Sequence, residues 1–357
     1  MLFASSTISK VAINGFGRIG RAFFKLAIEK PNLEIVAIND LGDLETLAYL
    51  LRYDSVYGRY QKEIGVKEEN GQKYLLVGDP SNSSGLVKKI LFLNEKEPAK
   101  LPWKDLSVDI VVESTGMFES YEKAAVHTQA GAKRVVLTAP AKDEDSPDAR
   151  TVLVGVNEEV LKTCTISSNG SCTTNSASPV MQILSEKLGV KKAFLNTVHG
   201  YTATQSLIDS PAKGEDLWRG RAAGVNNVPS TTGATIAVER AVEAVKGKFG
   251  GMSMRVPTIT GSLSAITFVA SKPTTIEEIN NIFKEAEKDE RWKGIFKTTS
   301  DQIVSTDIIG DPYAAIVDLS LTQVVDGDLC VVFSWYDNEF GYTNTLVNHV
   351  MKVAQNL

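Results

Sequence analysis

The sequence has few cysteines and lacks the signatures of several protein classes. Three cysteines occur in 357 residues, Cys164, Cys172 and Cys330, and they are too few and too irregularly spaced for a disulfide framework. We therefore expect free thiols and a reducing, cytoplasmic compartment. No run of about eighteen apolar residues appears, so no membrane-spanning helix is predicted. The first nine residues lack the segments of a signal or transit peptide.

An excess of basic charge is also missing. The formal net charge is −5 at pH 7, which provides no global positive field and argues against nucleic acid as the main partner. The apolar fraction of 43% and the charged fraction of 23% are those of an ordinary globular protein. A chain of this length favours two domains or one large α/β domain.

Histidine is scarce, which limits the choice of a general base. The three histidines are His127, His199 and His349. His127 falls in a helix-like surface pattern and His349 in the C-terminal helix, so we expect both to be solvated. His199 instead ends an apolar strand and opens a polar run, and it is the candidate base.

A glycine-rich turn near the N-terminus has the order and spacing of a dinucleotide site. An apolar strand, Lys10 to Asn14, leads into Gly15-Phe16-Gly17-Arg18-Ile19-Gly20, and a helical pattern follows. Glycines there allow a tight turn and a close approach of the backbone to a pyrophosphate at the helix N-terminus. A second strand ends in Asp40, whose carboxylate can accept from ribose hydroxyls and would repel a 2′-phosphate. The pattern favours NAD over NADP.

Strand and helix patterns predict two domains that differ in the arrangement of their secondary structure. Residues 1–169 alternate in βα fashion, which indicates an NAD-binding Rossmann domain with a doubly wound parallel sheet. At the carboxyl ends of its strands we expect Asp40, Ser114, Thr115 and Thr138 to cluster. Residues 170–336 carry longer strands, which indicate an α+β catalytic domain with a mixed or antiparallel sheet. Residues 337–357 are predicted as a C-terminal helix that packs back on the NAD-binding domain.

The segment from Ser167 to Asn175 is the best candidate for the reactive site. It joins an apolar strand to a helical pattern and carries Cys172 among small hydroxylated residues. A cysteine at a helix N-terminus faces free backbone N–H groups and the positive end of the helix dipole, both of which favour a thiolate. Burial as a small apolar residue is the alternative. His199 follows 27 residues later, far enough for a helix and a returning strand to bring the two side chains together.

Several motifs, taken together, resemble one family. From Lys10 to the C-terminus the chain is similar, in order, to phosphorylating glyceraldehyde-3-phosphate dehydrogenases. The motifs are KVAINGFGRIGR, AIND, YDSVYG, DIVVESTG, SCTTN, HGYTATQ, RVPT and SWYDNEFGY. The resemblance implies an NAD-dependent oxidoreductase that acts on glyceraldehyde 3-phosphate and inorganic phosphate, works as a homotetramer and needs no metal.

The same resemblance implies roles for individual residues. Cys172 would add to the aldehyde as a thiolate, and His199 would take the proton as hydride leaves for nicotinamide. The NAD-binding residues would be Gly15, Phe16, Gly17, Arg18, Ile19, Asn39, Asp40, Lys96, Ser114, Thr115, Thr138, Asn338 and Tyr342. The substrate phosphate would be held by Thr202, Arg219 and Arg255, and inorganic phosphate by Ser171, Thr173, Thr232 and Gly233.

Some positions depart from the usual family pattern. Ser176 stands where a second cysteine is common, so a disulfide from Cys172 to that position cannot form. Residues 259–266 lack the usual proline and aspartate of a strand that lies at a subunit interface, and this puts the tetramer in question. Gly78 to Gly85 looks like a small insertion in a polar turn.

Two other readings stay open at this stage. An erythrose 4-phosphate dehydrogenase would use the same fold on another aldehyde phosphate. A redox sensor or other moonlighting binder, possessing the fold without turnover, could use Cys172 as an oxidisable thiol. Thr231-Thr232-Gly233, with its second phosphate site, favours the phosphorylating enzyme.

Overall fold

The computed structural model describes residues 8–78, 87–212 and 216–357. Most of the polar turn from Gly78 to Gly85 lies outside the described residues. The chain forms two compact units. Unit 1 consists of Met1–Arg150, Glu159–Asn169 and Leu346–Leu357, and unit 2 of Thr151–Glu158 and Gly170–Thr345. The division into domains at residues 1–169, 170–336 and 337–357 stays a prediction.

The first half of the chain alternates strands and helices as the sequence pattern indicates. Its elements are β1 (Ser9–Asn14), α1 (Arg18–Ala27), β2 (Leu33–Asn39), α2 (Leu44–Arg52), β3 (Tyr53–Asp54), β4 (Gly58–Arg59), β5 (Glu63–Glu69), β6 (Gln72–Gly78), β7 (Lys88–Leu93), β8 (Ile110–Glu113), α3 (Tyr121–Ala124), α4 (Val126–Gln129), β9 (Arg134–Leu137), β10 (Ala149–Thr151) and β11 (Ile166–Ser168).

A nine-stranded sheet organises unit 1. Its strand order is β10-β11-β9-β8-β1-β2-β7-β6-β5, and the pairs from β11 through β7 are parallel. The central strands are short and almost wholly apolar because helices cover both faces of a parallel sheet. This is the predicted Rossmann-like arrangement, and it brings the ends of β1, β2 and β8 to one edge.

One edge of the unit 1 sheet is antiparallel. β5, β6 and β7 pair antiparallel, and β5 was not predicted because its sequence, EIGVKEE, is mostly charged. The signal that could have found it is Asn70-Gly71 between β5 and β6. Both residues have positive φ, 54° and 75°, as a two-residue hairpin turn requires.

The turn between β1 and α1 depends on close backbone packing. A Cβ on Gly20 would come within 2.1 Å of the Gly15 carbonyl oxygen, so no other residue fits without moving the turn. Gly20 lies in the first turn of α1, whose inner face buries Phe23, Phe24 and Ala27. The helix N-terminus is therefore fixed against the end of β1.

The second half of the chain contains longer strands. Its elements are α5 (Cys172–Lys187), β12 (Val190–Gly200), β13 (Val228–Ser230), α6 (Ala234–Ala241), β14 (Phe249–Val256), β15 (Ser262–Ala270), α7 (Ile276–Glu287), β16 (Phe296–Thr299), β17 (Ala315–Val325), β18 (Leu329–Tyr336) and α8 (Phe340–Ala354). Within the described residues, none of the helices is long and apolar enough to cross a bilayer.

Unit 2 is built on a seven-stranded mixed sheet. The order is β13-β14-β12-β15-β18-β17-β16, with β12/β14 and β16/β17 parallel and the other pairs antiparallel. β15 alternates buried and half-buried residues, and its inner face joins the core formed with α5, α6 and α7. β14 was missed in the sequence because its start, FGGMSM, is rich in glycine and methionine.

Candidate active site and nucleotide cavity

A cavity of about 390 Å³ opens at the edge of the unit 1 sheet. The ends of β1, β2 and β8 supply its polar wall, and the turn before α1 supplies another side. Seven of its lining residues were predicted to bind the cofactor: Gly15, Gly17, Asn39, Asp40, Lys96, Ser114 and Thr115. A Cβ on Gly17 would meet nothing within 4 Å, so the space over the start of α1 is open. The residues present fit a dinucleotide, because an anionic pyrophosphate is favoured at a helix N-terminus.

The carboxylate of Asp40 has a structural task as well as an expected binding task. Its Oδ2 accepts from the Phe16 backbone N–H at 2.6 Å, and its Oδ1 accepts from the Gly42 N–H at 2.7 Å. Two of the roughly four acceptor positions of a carboxylate are thereby used. The others remain for ribose hydroxyls, which agrees with a preference for NAD.

The other predicted cofactor residues of unit 1 lie at or near the same edge. Arg18 and Ile19 form the first turn of α1, and the guanidinium of Arg18 pairs with Asp54 at 3.3 Å. The hydroxyl of Ser114 donates to the Gly15 carbonyl at 2.6 Å. Thr138 follows β9, and its hydroxyl donates to the Glu113 carbonyl at 3.0 Å. Phe16 is fully buried, so it offers its backbone rather than its ring to a ligand.

Cys172 is the first residue of α5 in unit 2. Ser171 caps this helix: its hydroxyl accepts from the Thr174 N–H at 3.0 Å, and its own N–H donates to the Thr174 hydroxyl at 3.1 Å. Gly170 precedes the cap with φ of 62°, where a Cβ would meet the Thr174 side chain at 2.9 Å. The helix therefore starts at Cys172 itself, which is partly buried.

His199 lies beside the thiol. Its Nε2 is 3.3 Å from Cys172 Sγ, and the imidazole is 2% exposed. Arg255 reaches the other side of the ring because the parallel register pairs His199 of β12 with Arg255 of β14. The guanidinium Nη1 lies 2.6 Å from His199 Nδ1 and 3.3 Å from the Gly200 carbonyl oxygen.

The Nδ1 atom of His199 has two competing partners. It also lies 2.7 Å from the Gly200 carbonyl oxygen, which can only accept a hydrogen bond. If Arg255 donates to Nδ1, the ring proton sits on Nε2 and points at the sulfur. If Nδ1–H donates to Gly200, Nε2 is free to accept the proton of the thiol. Only the second tautomer lets His199 act as a base towards Cys172.

Burial and charge set the resting protonation of the pair. Burial, with the nearby Arg255 charge, lowers the pKa of His199 to about 3, although the Gly200 hydrogen bond acts against this. Burial raises the pKa of the Cys172 thiol, and the Arg255 charge and hydrogen bonds from Thr173 oppose that shift. Burial therefore opposes the thiolate that the sequence predicts, and the Arg255 charge favours it. The thiolate stays a prediction.

Tyr336 supports both partners of the site. Its ring meets the His199 ring edge-on at a centroid distance of 5.9 Å. Its hydroxyl lies 2.9 Å from the Thr173 hydroxyl and 2.7 Å from the Thr197 hydroxyl. Burial raises the pKa of Tyr336 to about 12, so it remains a neutral phenol. The sequence analysis did not select Tyr336, although it lies inside the SWYDNEFGY motif.

The two predicted phosphate sets are only partly assembled. Thr202 reaches the Thr204 hydroxyl at 2.9 Å, and Arg219 Nη1 donates to the same hydroxyl at 3.0 Å. The charge of Arg219 acts on Arg255, whose pKa is lowered first by burial and further by this second guanidinium. Such like-charged neighbours suit a bound anion. Arg219 and Arg255 are thus within electrostatic reach of each other, and Thr202 is joined to Arg219 through the Thr204 hydroxyl.

The residues expected to bind inorganic phosphate lie at the N-termini of two helices, α5 and α6. Ser171 and Thr173 flank Cys172, but their hydroxyls are engaged in the helix cap and with Tyr336. Thr232 accepts from the Ala234 N–H at 3.1 Å, and Gly233 caps α6. A phosphate at these residues would rely chiefly on backbone N–H groups of helix N-termini.

Asn338 and Tyr342 lie in unit 2, after β18. The side-chain oxygen of Asn338 accepts from Thr260, Gly261 and Ser262, which fixes the amide and leaves its N–H groups to donate. A carboxamide oxygen is a fitting acceptor for them. The hydroxyl of Tyr342 donates to the Gly170 carbonyl at 3.2 Å, so it braces the turn before Cys172.

The expectation for the other two histidines is wrong. His127 and His349 are both fully buried. His127 Nε2 lies 2.9 Å from Glu113 Oε2, and His349 lies between the Ser167 hydroxyl and the Asn169 amide oxygen, at 2.8 and 3.1 Å. Helical periodicity could not reveal these distant partners. In the part of the chain that the structure describes, no three His, Cys, Asp or Glu side chains are grouped to hold a metal ion.

Comparisons with known proteins point to one family. Residues 9–121 match the family model for the glyceraldehyde 3-phosphate dehydrogenase NAD binding domain, and residues 171–338 match the model for the C-terminal domain of the same family. A glyceraldehyde-3-phosphate dehydrogenase of Thermotoga maritima is 48% identical over 344 residues, covering 96% of this chain and 98% of the relative. One from Clostridium pasteurianum is 43% identical, with 95% and 97% covered. The Geobacillus stearothermophilus protein is also 43% identical, with 97% and 98% covered.

Proposed function

The chain belongs to the glyceraldehyde 3-phosphate dehydrogenase family, and from that membership we propose that it oxidises glyceraldehyde 3-phosphate with NAD and inorganic phosphate to 1,3-bisphosphoglycerate, a reaction of glycolysis. The observation that carries the proposal is the 3.3 Å approach of Cys172 Sγ to His199 Nε2 at the start of α5, beside Arg255. A nucleophile and a base in hydrogen-bond reach are what acyl chemistry at an aldehyde needs.

The reaction starts at the Cys172–His199 pair. His199 takes the thiol proton as Cys172 Sγ adds to the aldehyde carbon and returns it to the former carbonyl oxygen, which gives a neutral thiohemiacetal. Burial disfavours the thiolate and the imidazolium when either is alone, and the Arg255 charge favours the thiolate. The Cys172 backbone N–H, at the N-terminus of α5, is positioned to stabilise the oxyanion.

Oxidation and phosphorolysis then follow at the carbon that is bound to Cys172 Sγ. NAD, when bound, accepts the hydride from the former aldehyde carbon. His199 removes the hydroxyl proton of the thiohemiacetal, and the product is a thioester on Cys172. An oxygen of inorganic phosphate then attacks the thioester carbon, the acyl phosphate leaves, and Cys172 regains its proton. Asn338 would donate to the nicotinamide carboxamide and so orient the ring for hydride transfer.

Substrate choice is assigned to the cationic group of unit 2. Arg219 and Arg255, with Thr202, hold the phosphate ester of the aldehyde, since guanidinium groups bind phosphate through paired charge-assisted hydrogen bonds. Ser171, Thr173, Thr232 and Gly233 serve the attacking phosphate. The names of the relatives favour this substrate over erythrose 4-phosphate and over a binder without turnover.

We further propose a cytoplasmic homotetramer. All three cysteines are free thiols, as a reducing compartment allows. Unit 2 also presents large apolar side chains to solvent in the isolated chain, and an apolar surface of this kind is typical of a subunit interface. They are Phe194 and Val198 on β12, and Leu207, Ile208, Leu217, Trp218 and Val225 in the segment between β12 and β13.

The decisive assay varies cofactor and phosphate together. We expect NADH to form from glyceraldehyde 3-phosphate in steady state only when phosphate or arsenate is present, because the thioester must be removed at each turnover. NADP should support much slower turnover, since Asp40 would repel a 2′-phosphate. Equal turnover with water as the only acyl acceptor would overturn the phosphorylating reaction.

Substitution of the nucleophile tests the mechanism. Cys172→Ser should lower turnover by at least about 10³-fold, because a serine hydroxyl lacks the nucleophilicity of the thiol, while NAD binding is retained. Cys330→Ser is the matched control, since Cys330 is a buried thiol in the same unit that donates to the Asp328 carbonyl at 3.4 Å. Its turnover should be close to that of the wild type. Undiminished turnover in Cys172→Ser would remove this residue from the reaction.

A further inference from the structure

A buried carboxylate lies directly behind the polar wall of the unit 1 cavity. Glu113 ends β8 and is 3% exposed. Its Oε2 accepts from Asn14 Nδ2 at 2.6 Å and from His127 Nε2 at 2.9 Å. Its Oε1 accepts from the Thr115 backbone N–H at 2.8 Å and from the Thr115 hydroxyl. These four donors saturate the acceptor capacity of one carboxylate.

The hydrogen bonds continue from Glu113 into the cavity wall. Asn14 uses its side-chain oxygen to accept from Asn39 Nδ2 at 2.7 Å, and Asn39 in turn accepts from the Glu95 backbone N–H at 2.9 Å. Asn14, Asn39, Glu95 and Thr115 all line the cavity. The Glu113 carboxylate therefore holds, directly or through Asn14, the side chains at the ends of β1, β2 and β8.

His127 is the innermost donor to that carboxylate, and its tautomer is fixed. The indole N–H of Trp103 donates to His127 Nδ1 at 3.1 Å, and an indole nitrogen can only donate. Nδ1 must therefore accept, and the ring proton lies on Nε2, facing Glu113. The His127 ring also meets the ring of Phe118, another cavity-lining residue, edge-on at 5.9 Å. His127 does not itself line the cavity.

We propose that His127 is a positioning residue for nucleotide binding, acting through Glu113 to hold Asn14, Asn39 and Thr115 in the geometry that the dinucleotide meets. The inference rests on the proposed nucleotide site in unit 1. Removing the Nε2 donor leaves one acceptor position of a buried carboxylate unpaired, so Glu113 turns or draws in water and its other partners shift. In such a variant, NAD binding has to order the polar wall of the cavity, which is already ordered in the wild type. The affinity for NAD therefore falls.

The test compares two substitutions at His127. In the full-length protein, His127→Leu removes both hydrogen bonds at similar volume and should weaken NAD binding about tenfold by isothermal titration calorimetry. His127→Gln carries one donor and one acceptor and should restore the affinity to within about threefold of the wild type. With saturating NAD, kcat should be unchanged while the KM for NAD rises in the leucine variant.

Two further variants separate positioning from general loss of stability. Trp103→Phe keeps an aromatic ring, smaller than the indole, and removes the indole donor, so it should weaken binding about threefold even if His127→Leu fails to fold. Leu101→Ala is the control, because Leu101 packs in the same buried cluster as Trp103 without joining the hydrogen bonds. It should lower the melting temperature and leave the affinity unchanged.

The possible outcomes are distinct. Unchanged affinity in both His127→Leu and Trp103→Phe, equal weakening in Leu101→Ala, or no restoration in His127→Gln would each overturn the positioning role. If the wild type itself produced no binding heat with NAD, the proposed nucleotide site would fail instead. Tenfold weakening with restoration by glutamine, alongside an unaffected alanine control, supports the inference.

Discussion

Two buried histidines, one in each unit, occupy opposite chemical situations. His127 in unit 1 accepts from Trp103 at Nδ1 and donates to Glu113 at Nε2, so these two hydrogen bonds have one consistent direction, and Asn14 Nδ2 lies 3.4 Å from the same Nε2. His199 in unit 2 has a guanidinium and a carbonyl oxygen competing for Nδ1, and a thiol at Nε2. A fully paired imidazole fixes its neighbours, whereas one with competing partners can change tautomer at little cost. We infer that the first suits positioning and the second suits proton transfer.

The largest expected effect comes from removing the second imidazole. His199→Asn should lower kcat by about 10² to 10⁴-fold, the usual contribution of a general base, with little change in the affinity for NAD. The measurement is steady-state NADH formation together with calorimetric NAD binding. Should His199→Asn weaken NAD binding as His127→Leu is expected to, the contrast between the two histidines would be lost.

The next largest effect is expected from removing Arg255, which competes with the Gly200 carbonyl oxygen for His199 Nδ1. Arg255→Gln removes a charge that favours the Cys172 thiolate, so the pKa of the thiol should rise. The alkylation rate of Cys172 with iodoacetamide, followed against pH, should show its midpoint at higher pH than in the wild type. Turnover with glyceraldehyde 3-phosphate should fall by about tenfold to hundredfold from lost charge-assisted hydrogen bonds.

Arg221→Gln is a suitable control for that experiment. Arg221 forms an exposed ion pair with Asp209 at 3.1 Å, in the same stretch of unit 2 as Arg219. Its loss should change neither the alkylation midpoint nor turnover appreciably. An unchanged midpoint in Arg255→Gln would mean that this guanidinium has no electrostatic influence on the thiol.

Acid should destabilise unit 2 through the same imidazole. The pKa of His199 is about 3 in the folded protein and near 6.5 when unfolded, so the unfolded chain binds the extra proton. Between pH 6.5 and 3 this residue alone should lower the free energy of unfolding by up to about 1.4 kcal/mol per pH unit. Thermal melts across this range should show a smaller loss in His199→Asn. Parallel pH profiles for the two proteins would contradict the assignment.

The smallest effect concerns the hydroxyl that supports the site. Tyr336→Phe keeps the ring against His199 but removes a bond to each of Thr173 and Thr197, so the free energy of unfolding should fall by about 1 to 2 kcal/mol. Tyr74→Phe removes a hydroxyl whose hydrogen bond to the Gln72 side chain is exposed, and it should cost less in chemical denaturation. A reversed order would show that the hydroxyl of Tyr336 contributes little.

Local patterns in the sequence predicted the parts of the molecule that depend on near neighbours. The glycine-rich turn, the acidic residue after β2 and the strand, turn and helix around Cys172 are all set by residues close together in the chain. The alternation in the first half likewise indicated the parallel sheet, which the structure confirms. Element ends were less accurate because caps such as Ser171 depend on side-chain hydrogen bonds.

Features that depend on long-range pairing were missed. His127 was predicted to be solvated because it falls in a helix-like surface pattern, while its partners Trp103 and Glu113 are 24 and 14 residues away. β14 was missed for its glycines, yet its register with β12 is what brings Arg255 to His199. The competition at Nδ1 could therefore not be read from the sequence.

The hydrogen bonds of Asp40 have a consequence for cofactor engineering. Replacing the acid after the second strand with a neutral residue would remove its repulsion of the 2′-phosphate of NADP. Here that carboxylate also joins the backbone of the glycine-rich turn, at Phe16, to the loop after β2, at Gly42. An asparagine would keep one acceptor and turn an amide donor towards the other N–H. A switch of cofactor preference in this chain therefore requires a second substitution that rebuilds the turn.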